Sequence, residues 1–246
     1  MRVPRIHVAL PLAVGPVSLE GDAAHHLARV LRRRVGDPVE LFDGEGRIAT
    51  GRVEALDGRR CVVTIETVGD GAGEESPLHV HLGIALLRGE RMDIALQKAC
   101  ELGVGRISLL TSERVELKLD ARRLDNRLRH YRSVVVHAAQ QSGRSRVPEL
   151  DPPMTLEDFA RASDPAALRL VMDPEGDALP RRVPTPTSVV LATGPEGGFA
   201  PEDLRVLARG AFQRMRLGPR VLRAETAPLV GLSVLQWCWG DLGGEP

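Results

Sequence analysis

The sequence predicts a doubly wound, largely parallel α/β domain preceded by a small β-barrel, and three observations carry that expectation. From His79 onward, strand-like apolar runs alternate with helical patterns over about 170 residues, the signature of successive βαβ units. Before residue 70 the apolar runs are short and rich in β-branched residues, and Asp-Gly turns separate them. Between the two parts lies Gly69-Asp70-Gly71-Ala72-Gly73-Glu74-Glu75-Ser76-Pro77, which has the composition of a linker. The expected division is a barrel over 1–70, a linker over 71–77 and an α/β domain over 78–246.

In the first part, Ile6-His7-Val8-Ala9-Leu10, Pro38-Val39-Glu40-Leu41-Phe42 and Arg60-Cys61-Val62-Val63-Thr64-Ile65 read as strands, parted by turns at Asp43-Gly44-Glu45-Gly46 and Asp57-Gly58. One helix interrupts them, with Asp22 as N-cap, Leu27, Val30 and Leu31 at helical spacing, and Gly36 as its end. In the second part, His79 to Leu87 reads as a strand. Glu90 to Leu102 reads as a helix with Ala95, Leu96, Ala99 and Leu102 inward and Gly103 as its stop. Arg106 to Thr111 is strand-like, Leu124 to Gln141 helical and Leu168 to Met172 strand-like, while Leu150 to Thr187 shows no motif. Ser188 to Thr193 is a continuous apolar run of the kind buried on both faces of a parallel sheet. Pro201-Glu202-Asp203-Leu204 then opens a helix, since Pro suits the first helical position and acids the positive end of the dipole. Phe212 to Leu217 is strand-like, and Thr226 to about Trp239 is an apolar helix.

Bulk properties narrow the function. A chain of 246 residues with 43% hydrophobic content can bury real cores without staples. Cys61, Cys100 and Cys238 are far apart in apolar surroundings, with no Cys/His cluster, so they read as buried thiols and no metal site is expected. No run reaches the roughly 18 apolar residues of a membrane span, and no secretory leader opens the chain, so a cytoplasmic protein is expected. Zero net charge excludes binding to nucleic acid by bulk charge, but the distribution is uneven. Residues 114–146 carry nine Arg or Lys against three acids, a stripe that suits docking on a polyanion or a solvated helix face.

Two glycine-punctuated turns follow the last strands: Gly194-Pro195-Glu196-Gly197-Gly198-Phe199, and Leu217-Gly218-Pro219-Arg220-Val221-Leu222-Arg223-Ala224-Glu225-Thr226-Ala227-Pro228. Loops at the carboxyl ends of parallel strands are where open α/β sheets bind ligands. The first turn lacks the Lys-Ser/Thr of a phosphate loop and the Gly-x-Gly-x-x-Gly of a dinucleotide site. Glu196 would repel a polyanion but suits a cation, and S-adenosylmethionine carries a sulfonium and an ammonium. In the second turn, Arg223 and Glu225 bracket the start of a helix, where they either hold a polar substrate edge or pair with each other.

These turns, with Gln97-Lys98-Ala99-Cys100-Glu101-Leu102-Gly103-Val104, Ser112-Glu113-Arg114-Val115, His137-Ala138-Ala139-Gln140-Gln141-Ser142-Gly143-Arg144 and the segment from His25 to Asp37, resemble the 16S ribosomal RNA uridine N3-methyltransferases of the SPOUT class. The resemblance implies a PUA-like barrel and a SPOUT domain whose sheet is threaded into a trefoil knot, a homodimer, and S-adenosyl-L-methionine as methyl donor with no metal. It assigns the donor to Thr193, Gly194, Glu196, Gly197, Gly198, Leu217, Gly218, Val221, Leu222, Arg223, Thr226 and Ala227. Uridine N3 must lose an imide proton, so the site needs a base or cationic stabilisers. Glu196 and Glu225 are the candidate bases, with His137 a weaker one; Arg223, Lys98 and Arg144 are the candidate stabilisers. RNA contact is expected from Arg5, His26, Arg29, Arg32, Arg33 and Arg34 and from the part of the basic stripe between Arg122 and Arg132. The implied substrate is one uridine in small-subunit ribosomal RNA. Transfer RNA as substrate, or a non-catalytic ribosome-assembly factor, is the alternative.

Overall fold

The computed structural model describes residues 3–57, 60–71, 75–115, 121–179 and 185–243. Gly58, residues 72–74 of the linker, and Lys118 with the rest of 116–120 in the basic stripe lie outside the described residues. The chain forms two compact units, Met1–Glu75 with Val136–Val147, and Ser76–Val135 with Pro148–Pro246.

The first unit contains β1 (Arg5–His7), β2 (Gly15–Glu20), α1 (Gly21–His25), β3 (Pro38–Phe42), β4 (Arg47–Leu56) and β5 (Arg60–Asp70). Its five-stranded sheet has the order β1-β3-β4-β5-β2, antiparallel except for the β1–β3 pair. Alternate residues such as Leu41, Val53 and Val63 face one core shared with Ile6, Leu19 and Leu27. The β4–β5 register shifts at Gly51, where a Cβ would lie 2.3 Å from the Thr64 carbonyl oxygen, so only glycine lets the strands close there.

The helix differs from expectation. It begins at Gly21 with Glu20 in the N-cap position, which puts Asp22 inside the first turn, and it passes directly into a π-helical turn over His26–Val30. It ends short of Gly36 because Arg32 adopts a left-handed φ of 48°. Within this unit Arg144 is buried against Glu75 at 2.6 Å, and Ser145 donates to the Gly71 carbonyl at 2.9 Å.

The second unit contains β6 (His79–Ala85), α2 (Glu90–Glu101), β7 (Arg106–Leu110), β8 (Glu149–Met154), α4 (Leu156–Ala162), β9 (Leu168–Ala178), β10 (Ser188–Thr193), α5 (Pro201–Arg209), β11 (Gln213–Arg216) and α6 (Thr226–Trp239). The long α3 (Ala121–Ser142) starts in this unit and ends in the first. The sheet order is β11-β9-β10-β6-β7-β8, with every strand pair parallel. β10 is central and buried on both faces. Val190 and Ala192 pack with Phe159 of α4 and Leu207 of α5, while Leu191 meets Gly231 of α6, where an added Cβ would lie 2.8 Å from its Cδ2.

Several elements escaped the sequence patterns, among them β2, β4, β8 and α4. β8 contains Pro152 and Pro153, which lack amide donors and are tolerated because β8 is an edge strand. β9 runs on to Ala178, beyond the expected Met172, and its pairing with β11 jumps in register between Arg214 and Met215. The expectation of three buried thiols is corrected in one case: Cys61 and Cys100 are buried, but Cys238 is exposed near the end of α6. Among the described residues no helix is long and apolar enough to cross a membrane.

Candidate active site

The carboxyl ends of β10, β9 and β11 open onto one cavity of about 1050 Å³, lined by both glycine turns. The first turn forms because Gly198 adopts a φ of 68° and its amide bonds the Pro195 carbonyl at 2.8 Å. Gly194 lies so close to the returning chain that a Cβ would stand 3.1 Å from the Phe199 amide nitrogen. Pro201 then starts α5, and the buried Asp203 carboxylate accepts the Ala200 amide at 2.8 Å, using a donor that the helix leaves unpaired. The other oxygen of Asp203 accepts the Glu113 amide at 3.2 Å. One carboxylate thus ties the loop after β7 to the loop after β10, and Arg114 from the first loop donates to the Gly197 carbonyl.

The second turn leaves β11 through Gly218, at a φ of 74°, and closes where the Thr226 and Ala227 amides both bond the Arg223 carbonyl at 2.9 Å. Glu225 occupies the N-cap position of α6 without a side-chain capping bond, and its side chain is largely buried, whereas that of Arg223 is 78% exposed. Their charges lie 3.9 Å apart, a loose pair.

Arg91, in the first turn of α2, connects the two turns. It donates to Glu196 at 3.2 Å and stands 4.0 Å from Glu225. Burial tends to raise the Glu196 carboxyl, but hydrogen bonds from its own backbone, from the Arg88 amide and from Arg91 outweigh that and hold it below the usual carboxylate range. The cavity wall is completed by Asp173, which holds Arg214 at 2.6 Å, and by Glu175.

The expected residues divide clearly. Gly194, Glu196, Gly197, Gly198, Leu217, Val221, Leu222, Arg223, Glu225 and Ala227 line the cavity. Gly218 and Thr226 shape the second turn from outside the lining, and Thr193 is fully buried with its hydroxyl toward the Gly83 carbonyl at 3.5 Å. Lys98 is engaged by Glu101 at 2.8 Å on α2 and is not in the lining; Arg144 belongs to the other unit, where Glu75 holds it, and His137 also lies there.

In the first unit Arg29, Arg32 and Arg34 are exposed, while Arg33 is half-buried. Arg5 is instead a packing residue, paired with Glu40 at 3.1 Å and stacked over Phe42. The His26 imidazole is held below its ordinary value by burial, then by His137 and His25.

Sequence reasoning missed Arg91, Asp173 and the bridging role of Asp203. The position of Arg91 just after a parallel strand was the available signal. The reach of Asp203 across two loops had none.

The model of an RNA methyltransferase domain matches residues 74–236, and that of an RNA methyltransferase PUA domain matches residues 19–66. The chain belongs to the RNA methyltransferase family. Relatives of this family include the ribosomal RNA small subunit methyltransferase E of Mycobacterium bovis, 34% identical over 88% of this chain and 84% of its own. A crystal structure of such an enzyme from Neisseria gonorrhoeae, bound to S-adenosyl methionine, matches at 34% identity and a TM-score of 0.90, covering 98% of this chain and 99% of that one. A methyltransferase of Legionella pneumophila in complex with the cofactor SAM matches at 35% identity and a TM-score of 0.91, covering 98% and 100%. The family places a PUA domain and an RNA methyltransferase domain in the order seen here.

Proposed function

We propose that this chain is an S-adenosylmethionine-dependent methyltransferase that modifies N3 of one uridine in 16S ribosomal RNA. The observation that carries the reading is the single cavity built by both glycine turns, with the carboxyl groups of Glu196, held below its usual range, and of Glu225 in its wall. That wall fits a cationic ligand: backbone exposed at glycines can approach an adenosine closely, Leu217 and Leu222 offer apolar surface, and two carboxylates face positive charge. Full-length similarity to donor-bound relatives supports it. The donor, when bound, supplies a methyl group activated on sulfonium.

The chain's own residues then manage position and one proton. Glu196 is committed to three donors and serves as a fixed counter-charge. Among the described residues Glu225 has only ion contacts of 3.9 and 4.0 Å, so it is the carboxylate left to take the N3 proton as the N–CH3 bond forms. The exposed Arg223 can turn onto the imide oxygens and stabilise the charge that develops there.

The same reading includes work in the cytoplasm on the small ribosomal subunit, and the trefoil threading of the family. It also includes a homodimer, supported by α6. That helix leaves Leu229, Val230, Val234 and Trp237 around a shallow apolar hollow of about 290 Å³, with Trp237 66% exposed. The test is twofold. Calorimetry should show donor binding, and mass spectrometry of ribosomal RNA nucleosides should show N3-methyluridine lost on deletion of the gene. No donor binding at millimolar concentration, or unchanged methyluridine, would refute the function.

A further inference from the structure

Between Asp203 and Glu225 the chain carries six arginines and no acid. Most are engaged. Arg205 and Arg209 share Glu202 on α5, Arg214 is fixed by Asp173 at 2.6 Å and Glu175 at 3.3 Å, and Arg223 stands 3.9 Å from Glu225. Arg216 and Arg220 are different. Both are exposed, both line the cavity, and neither has a carboxylate within ion-pair distance among the described residues.

Arg216 is the last residue of β11, in register with Ala178 of β9, and Arg220 follows the Gly218-Pro219 turn with its left-handed glycine. Val221 beside them is 79% exposed, an apolar surface on an otherwise cationic rim. Of the other described arginines lining the cavity, Arg91, Arg205, Arg214 and Arg223 lie against acids and Arg114 donates to the Gly197 carbonyl, so the two unmatched guanidinium groups mark an anion site. Arginine presents a planar fork that matches phosphate oxygens in pairs.

We propose that Arg216 and Arg220 form a phosphate-binding rim on the catalytic unit itself, which grips the RNA backbone beside the target nucleotide and presents its base to the cavity. This rests on the RNA methyltransferase reading and adds a second RNA contact to the one expected from the first unit. A carboxylate is the other anion that could reach the pair, since the methyl donor carries one. Phosphate is favoured because both arginines are exposed, whereas Glu225, which suits the donor's cations, is largely buried in the same lining.

The two anions are separated by measuring both ligands on the full-length protein with Arg216→Ala/Arg220→Ala. Binding of a single-stranded uridine-containing RNA oligonucleotide should weaken by roughly tenfold or more at low salt. The slope of log K against log salt should fall by about 1.4, the amount for two phosphate contacts on a single strand. Donor binding by calorimetry should stay within about twofold of the parent. Arg216→Lys/Arg220→Lys should retain the slope and recover most of the affinity, and Arg209→Ala, already matched to Glu202, should leave both unchanged. An unaltered salt slope in the alanine variant overturns the proposal, as does a loss of donor affinity with RNA affinity intact, which would give the pair to the donor carboxylate. A parent protein that shows the slope but transfers no methyl group would remove the methyltransferase reading and leave the phosphate rim standing.

Discussion

Arg91 donates a hydrogen bond to Glu196 across 3.2 Å, from the first turn of α2 to the first glycine turn, and this pair fixes the charge of the cavity wall. The Glu196 carboxyl is held below its ordinary 4.5, so it is ionised throughout the neutral range. Methyl transfer should therefore show no inflection attributable to Glu196 across roughly pH 6–8. Glu196→Gln removes the counter-charge without changing shape, and donor affinity should fall about tenfold, the scale of one charge-assisted hydrogen bond. Calorimetry giving the same Kd for parent and variant would contradict this role.

The assignment of the proton to Glu225 predicts a different signature. Glu225→Gln should lower kcat by about 10² to 10⁴ while donor Kd changes only a few-fold, because the group acts in the transition state and not in ground-state binding. Equal losses in both would make Glu225 a binding residue.

Asp203 accepts amides from Ala200 and Glu113, so Asp203→Asn leaves one buried amide facing an NH2 group. The cost should be about 1–3 kcal/mol, read as a fall in the denaturant midpoint. Because the loops it joins carry Arg114 and Gly197, donor affinity should fall with it. A destabilised variant with unchanged donor Kd would show that the two loops are set independently.

The same residues show what a sequence can and cannot display. The apolar run of β10 and the glycine turns after β10 and β11 were legible because burial on both faces and left-handed backbone each demand particular residue types, as at Gly198 and Gly218. β8 was illegible because an edge strand tolerates Pro152 and Pro153, which sequence patterns read as a break. Arg5 illustrates a different limit. Its charge suggested RNA, but Glu40 and Phe42, thirty-five and more residues away, decide its role. Likewise Lys98 and Arg144 looked like stabilisers until Glu101 and Glu75 were seen to hold them. Charge is visible in sequence; for Arg5 and Arg144 the partner that neutralises it is a tertiary fact, whereas Glu101 lies one helical turn from Lys98.

The exposed apolar face of α6 makes the oligomeric state testable. Trp237→Glu places a charge in the hollow formed with Leu229, Val230 and Val234, and a homodimer closed over this face should dissociate. Sedimentation velocity should then report half the parent mass with the folded signal retained. An unchanged mass would move the dimer contact elsewhere.

A last prediction concerns the opposite, amino-terminal edge of the parallel sheet, where His81, Ser108, Asp151 and Arg106 form a chain. Ser108 donates its only hydroxyl proton to Asp151 at 2.5 Å, so the 2.8 Å contact with His81 requires the imidazole Nε2–H to be the donor. Burial foremost, then the Arg106 charge, drives the imidazole down to about 4, although Asp151 opposes this. Below about pH 6.5 the unfolded chain takes up a proton that folded His81 refuses until about pH 4, so this group costs stability as pH falls through that window and contributes nothing to the pH dependence above it. The loss should amount to roughly 2–3 kcal/mol by its lower end. Burial pushes Asp151 upward, but hydrogen bonds from Arg106 and Ser108 outweigh it and leave its carboxyl depressed, so its stabilisation is lost only as pH falls further, through its folded value. His81→Gln keeps a donor for Ser108 but cannot titrate. Its melting temperature should be lower than the parent's at pH 7 yet decline less steeply between pH 6.5 and 4. Parallel curves for the two proteins would mean that His81 does not set the acid limb.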